Sequence, residues 1–223
     1  MIHADVQLAG RQAPLCESRV LAYSATMTDA LDDSALMLRY RDGDVKAFEI
    51  LYRRHNQPLY RYLLRLSMHR DAAEDVYQEV WKRIIAARER YQATAKFTTF
   101  LYRVAHNTFI DYARRNKRYS STAAHDPDSG IHGGDEPDEA VEKLLLRRRL
   151  DLALRDLPQE QRDTFLLHEE AGLALDAIAL ITGVSRETVK SRLRYANRKL
   201  KAALMEPASR SGTGPAAIGA NND

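Results

Sequence analysis

An all-α fold, arranged as two small helical domains joined by a flexible acidic linker with the C-terminal domain a helix-turn-helix, is what this 223-residue sequence predicts. Three observations lead there. Apolar residues recur at spacings of three and four through most of residues 34–115 and 141–205, the mark of helices with one buried face. No convincing period-two alternation interrupts them. Between the two stretches lies a run rich in Ser, Gly, Asp and Pro that has nothing to bury. Composition agrees, with 44% hydrophobic and 29% charged residues in the range of globular chains.

Taken in order, residues 1–33 read as a poorly ordered extension. Residues 35–54 then carry Leu36, Leu38, Ala47, Phe48, Leu51 and Tyr52, with a break near Asp42 and Gly43. Pro58 is expected to open the next helix, because proline lacks an N–H and suits a first turn; that helix carries Leu59, Leu63 and Leu66. From Asp71 to about Tyr91 the inward residues are Val76, Val80, Trp81, Ile84 and Ile85, and a fourth helix is expected after Thr98 with Phe100, Leu101, Val104, Ala105, Ile110 and Tyr112.

Residues 116–140 read as the linker, and residues 206–223, equally low in complexity, as a disordered tail. As a random coil the linker would span roughly 25 to 30 Å and fully stretched about 80 Å, so the two domains are expected to reach separate sites. Asp126, Asp128 and Gly130 faintly suggest a calcium loop, but Pro137 stands where a bidentate Glu should close it. The net charge of +3 hides a division. Residues 35–119 carry 18 Lys and Arg against 9 Asp and Glu, residues 144–203 carry 12 against 8, and residues 120–143 carry 1 against 7. Two basic modules flank an acidic connector, the footprint of a nucleic-acid binder with two contact points.

The sharpest local signal lies at residues 175–193. A short apolar-faced helix meets Gly183, where a sharp turn favours a residue tolerant of positive φ, and Ser185 can cap the helix that follows. Val189, Leu193, Ala196 and Leu200 share its inward face. Arg186, Lys190, Arg194 and Arg198 share another, with Thr188, Ser191, Arg192 and Asn197 nearby. A turn of this kind leading into a helix with a basic outer face is the pattern of a DNA-reading helix-turn-helix.

Two features of the first module exceed what a core requires. Asp71, Glu74, Asp75 and Glu79 lie along one helix, with Asp75 and Gln78 three residues apart; taken alone, they would make an ordinary solvated face. In residues 91–118, Phe97, Phe100, Tyr102, Phe109 and Tyr112 interleave with Lys96, Arg103, His106, Asn107, Arg114, Arg115, Lys117 and Arg118, a mixture suited to stacking unpaired bases and holding phosphates. Some of those rings must be core.

These segments carry a family resemblance. Residues 71–85, DAAEDVYQEVWKRII, followed by residues 97–115, FTTFLYRVAHNTFIDYARR, resemble the second conserved region of RNA polymerase sigma factors. Residues 157–200, from LPQEQRDTFLLHEE to SRLRYANRKL, resemble the fourth. With a short linker and no third region, the chain resembles the extracytoplasmic-function group over about residues 34–203. The resemblance implies a domain at residues 34–115 in which Asp71, Glu74, Asp75, Gln78 and Glu79 dock on core RNA polymerase. It further implies that Lys96, Phe97, Thr98, Thr99, Arg103, Asn107, Arg114 and Arg115 melt and hold the minus-ten element. In the domain at residues 141–205, Ser185, Arg186, Thr188, Lys190, Ser191, Arg192, Arg194 and Arg198 would read the minus-thirty-five element.

The partners so implied are core polymerase, promoter DNA and an anti-sigma protein, in the cytoplasm, with no catalysis and no cofactor. The sequence departs from the family pattern at Phe100, often Trp; at His106, often Arg; at Ala174, usually a Ser or Thr cap; and at Ser185-Arg186-Glu187, where small residues are usual. A stand-alone helix-turn-helix regulator is the competing reading, and it leaves the first module without a task. A DNA-acting enzyme would need a catalytic constellation that the sequence lacks. No window reaches the roughly 18 uncharged apolar residues that cross a bilayer, so no membrane insertion is expected. The single Cys16 excludes a disulfide framework and any multi-Cys zinc site. His55, His69, His106 and His168 lack ligand-like spacing, so no metal is expected.

Overall fold

The first two helices start where short acidic side chains cap them. In the computed structural model, which describes residues 31–119 and 139–205, helix α1 (Asp33–Arg41) is capped by Asp32, whose carboxylate accepts the Ser34 N–H at 3.1 Å. Helix α2 (Val45–Ser67) is capped by Asp44, which accepts from Lys46 N at 3.1 Å and Ala47 N at 3.4 Å. Between them Gly43 takes φ +103°, a conformation that a Cβ would strain. Helix α3 (Arg70–Ala86) follows the left-handed Met68, and a 3-10 turn at Arg88–Arg90 leads to the loop before helix α4 (Phe97–Tyr119).

The sequence pattern misplaces two features here. Pro58 does not open a helix but lies inside the continuous α2. The apolar stripe Leu51, Leu59, Tyr62, Leu63 and Leu66 is buried on both sides of it, and that burial, at roughly 1.5 to 3 kcal/mol per large side chain, exceeds the lost hydrogen bond. Ile85 is exposed, because α3 buries Val76, Val80, Trp81 and Ile84 and turns the next position outward. Asp33 ties α1 to α2 by accepting from Arg54 at 2.5 Å and lying 2.7 Å from His55 Nε2.

In the second half, α5 (Glu139–Arg155), α6 (Gln159–Glu169), α7 (Leu175–Thr182) and α8 (Arg186–Met205) enclose Leu154, Leu157, Leu166, Leu167, Ile178, Ile181, Val189, Leu193, Ala196 and Leu200. No strand occurs among the described residues. The helices α4 and α5 reach to Tyr119 and from Glu139, so both ends of the segment read as linker are helical. The remainder of that segment with its candidate calcium loop, the extension before residue 31 with Cys16, and the tail after residue 205 lie outside the described residues.

The two halves do not stand apart. Helix α2 packs against α6, and α4 packs against α7. A linker of ample reach permits separation but does not enforce it, and side chains too far apart in sequence to form any local pattern decide the contact.

Candidate nucleic-acid and polymerase interfaces

The helix-turn-helix is built as its residues require. Gly183 ends α7 at φ +69°, with its N–H on Ala179 O at 2.9 Å, and nothing lies within 4 Å of where its Cβ would be, so it is the backbone angle that favours glycine. Ser185 Oγ then accepts the Thr188 N–H at 3.1 Å and lies 2.9 Å from Thr188 Oγ1, capping α8. The start of α7 has no side-chain cap, as Ala174 implied. Helix α8 buries Val189, Leu193, Ala196 and Leu200 and exposes Arg186, Lys190, Arg194 and Arg198.

The exposed cations are held in place to different degrees. Arg186 Nε lies 3.0 Å from Asp176 Oδ1 of α7, a surface pair worth about 0 to 1 kcal/mol that positions the guanidinium more than it stabilises the fold. Lys190 stands 4.0 Å from Glu187, while Arg194 and Arg198 flank the Tyr195 ring at 5.6 and 5.1 Å. Ser191 donates back to Thr188 O at 3.0 Å, and Ser191, Thr188 and Arg192 are half-buried. The arrangement offers a groove-sized helix with one cationic edge.

On α3, Asp71, Asp75 and Gln78 are exposed, whereas Glu74 is bound by Arg70 at 2.9 Å and Glu79 by Arg83 at 3.1 Å. Gln78 lines a groove of about 590 Å³ between α2 and α3, with Asn56, Gln57, Tyr60, Arg61, Glu74 and Tyr77. Asp75 lines a second, of about 400 Å³, between α3 and α4. The two residues thus form a polar crest between two concavities. Tyr60 and Tyr77, raised in pKa chiefly by burial, come from different helices and share no local spacing, so no sequence pattern links them.

The aromatic and basic stretch divides sharply. Lys96 is exposed and Thr98 half-buried before the body of α4; Arg103, Asn107, Arg114 and Arg115 are exposed along it. Phe97, by contrast, is 1% exposed, with its ring centroid 5.3 Å from that of His55, 6.2 Å from Phe100 and 6.4 Å from Tyr91. It anchors the loop in the core and does not present a ring to a base. Thr99 is also buried, which removes its hydroxyl from any DNA surface. The cause is local: an apolar ring at the first turn of a helix over a filled bundle gains more from burial than from solvent.

Among the described residues no cluster of His, Cys, Asp or Glu could hold a metal ion, and no helix is long and apolar enough to cross a membrane. His55 and His106 are instead partners of Asp33 and Asp163.

Residues 51–119 match the family description Sigma-70 region 2, and residues 147–200 match Sigma-70, region 4. The RNA polymerase sigma factor CarQ of Myxococcus xanthus is 30% identical over 170 residues, covering 76% of this chain and 96% of CarQ. The ECF RNA polymerase sigma factor SigL of Mycobacterium tuberculosis is 36% identical over 160 residues, covering 70% of this chain and 88% of SigL. Among solved structures, the sigma factor RpoE of Bartonella quintana in complex with the anti-sigma factor NepR has a TM-score of 0.62 at 22% identity, over 71% of this chain and 97% of that one. CnrH in complex with the cytosolic domain of CnrY has a TM-score of 0.57 at 21% identity, over 77% and 96%. At these identities the two structures speak to the fold.

Proposed function

This chain belongs to the extracytoplasmic-function group of sigma-70 factors, which bind core RNA polymerase and direct it to promoters, and from that premise we propose how its own residues divide the work. The exposed Asp75 and Gln78, with Asp71, dock on the core enzyme through the crest between the two grooves of α2, α3 and α4. Lys96, Thr98, Arg103, Asn107, Arg114 and Arg115 hold the opened minus-ten strand. Cations along its phosphates supply affinity, and polar side chains contact an extruded base whose unstacking costs a few kcal/mol. Phe97 and Thr99 support that surface from beneath.

Helix α8 enters the major groove of the minus-thirty-five element, with Arg186 on base edges and Lys190, Arg194 and Arg198 on or near phosphates. The observation that carries this reading is the capped α8, whose buried apolar face and exposed cationic face are both complete. The match of residues 51–119 to a second sigma region gives the first module a task that a stand-alone helix-turn-helix regulator would leave empty. The protein acts in the cytoplasm without catalysis or cofactor. Because both neighbouring structures are complexes, one of them with a named anti-sigma factor, an anti-sigma protein is proposed as its regulator.

Run-off transcription with purified core enzyme on genomic fragments tests the function. Permanganate reactivity of promoter thymines tests the division of roles. Replacing Lys96, Thr98 or Asn107 by Ala is expected to slow opening of duplex promoter while leaving activity on a template with an unpaired minus-ten region nearly intact. Equal opening rates would move melting to other residues.

A further inference from the structure

Arg186 opens α8, although that end of a helix disfavours a cation. The first N–H groups of a helix carry partial positive charge, and a guanidinium beside them weakens the fold slightly. Reach explains its place, since the N-terminal residues of a recognition helix are the ones that meet base edges in the major groove. The partner that holds it lies on another helix. Arg186 Nε stands 3.0 Å from Oδ1 of Asp176, in the first turn of α7, so the pair crosses the Gly183 turn. The other exposed cations of α8 are held within their own helix: Lys190 stands 4.0 Å from Glu187, and Arg194 and Arg198 flank the Tyr195 ring.

The atoms engaged decide what remains free. A guanidinium has two hydrogen-bonding edges, a side edge containing Nε and an end edge formed by the two Nη groups. With Nε on Asp176, the end edge remains as a pair of parallel N–H donors. In the major groove guanine offers such a pair two acceptors, O6 and N7, whereas adenine sets a donor beside its N7 and cytosine offers a donor. The two side chains are 54% and 77% exposed, so in the free protein the pair is screened by water. Seating α8 in a groove excludes that water and strengthens the pair. The same carboxylate repels phosphate, the competing destination for a long, flexible arginine.

We propose that Asp176 of α7 is a specificity-determining residue: it positions Arg186 so that the end edge of the guanidinium reads one guanine of the minus-thirty-five element instead of a phosphate. The proposal rests on the reading of α8 as the helix that enters that element. Asp176 touches no base. It acts through Arg186, lowering total affinity and raising discrimination.

The test compares holoenzymes assembled from core polymerase and the parent or variant full-length chain. The templates are a promoter fragment recovered by run-off transcription and its single-base-pair variants across the minus-thirty-five element, with binding measured from low to high salt. Arg186→Ala marks the base pair that Arg186 reads, as the position whose preference it loses. At that position Asp176→Asn is expected to lower discrimination by about fivefold or more, with the other positions unchanged. Binding to duplex of unrelated sequence should rise about two- to threefold at low salt, and the slope of log affinity against log salt should steepen by about one as Arg186 takes up a phosphate. Asp176→Glu, which keeps the charge, should restore the preference. Asp176→Asn in the Arg186→Ala background should cost no further discrimination there.

Asp176 also favours the uncapped start of α7 electrostatically, so melting temperatures are followed in parallel, and Asp176→Ser replaces Asp176→Asn if the latter unfolds. Undiminished preference in the folded variants overturns the proposal. So does a loss spread evenly over all positions, the mark of a role confined to holding α7. If Arg186→Ala leaves every preference intact, the assignment of Arg186 to base edges fails and the proposal fails with it. If Arg186→Ala loses one preference and the Asp176 variants lose none, the assignment stands and the proposal alone is overturned.

Discussion

Replacing Phe97 by Ala discriminates between two uses of an aromatic at the start of α4. Its ring is 1% exposed and lies within 6.4 Å, centroid to centroid, of those of His55, Phe100 and Tyr91. Truncation removes a fully buried ring and leaves a cavity, a loss of about 3 to 5 kcal/mol in comparable cores, to which aromatic pairing adds about 0.5 to 1.5. Against a total stability of roughly 5 to 15 kcal/mol this is a large fraction. At about 2 to 4 °C per kcal/mol for a chain of this size, the melting temperature should fall by roughly 10 °C or more. Phe97→Leu, which refills most of the space, should lose much less and keep promoter opening. Circular dichroism melts paired with permanganate reactivity supply the two readouts. If Phe97→Ala melts within about 2 °C of the parent yet fails to open promoters, the ring faces DNA and the packing argument is refuted.

The other expectations follow from the same geometry. Asp75→Ala with Gln78→Ala should weaken binding to core polymerase without changing helicity, because both are exposed; undiminished core affinity would remove the crest from that role. Arg186→Ala should lose about 1 to 3 kcal/mol of discrimination at particular minus-thirty-five bases, whereas Lys190→Ala or Arg198→Ala should mainly flatten the salt dependence of binding. Identical base preferences and salt slopes in all three would contradict that assignment. Ser185→Ala should destabilise the C-terminal half by about 1 kcal/mol through the lost cap on Thr188 N–H, read as earlier urea unfolding.

A pH experiment isolates Asp151. Burial holds its carboxyl above the usual value and outweighs the opposing pull of Arg65, so although the two form an ion pair at 3.2 Å, the desolvation cost decides the sign. A raised folded pKa means a penalty present at neutral pH and absent below the unfolded value near 4. Asp151→Asn should therefore melt higher than the parent at pH 7, with the gap closing as pH falls through the raised value. A gap that widens on acidification would show that the pair with Arg65 is the larger effect.

Local chemistry made the helical face patterns, the Gly183 turn, the Ser185 cap and the cationic edge of α8 legible from sequence, because each depends on residues within two turns of one another. The same holds for the exposed Asp75 and Gln78, whose spacing survives whatever surrounds the helix. What the linear chain could not decide was which residues a neighbouring element would cover. Phe97 and Ile85 carry the same apolar signal, yet one is sealed under Tyr91 and Phe100 and the other left in solvent. Pro58 reads as a helix start until the stripe on both sides of it is seen to be buried together. The contact of Asp163 with Tyr62 and His106 joins residues 101 and 57 positions apart, where no periodicity links the partners. Sequence alone determined the helices and their chemistry; tertiary packing alone determined which faces meet, because burial depends on elements brought together from far along the chain.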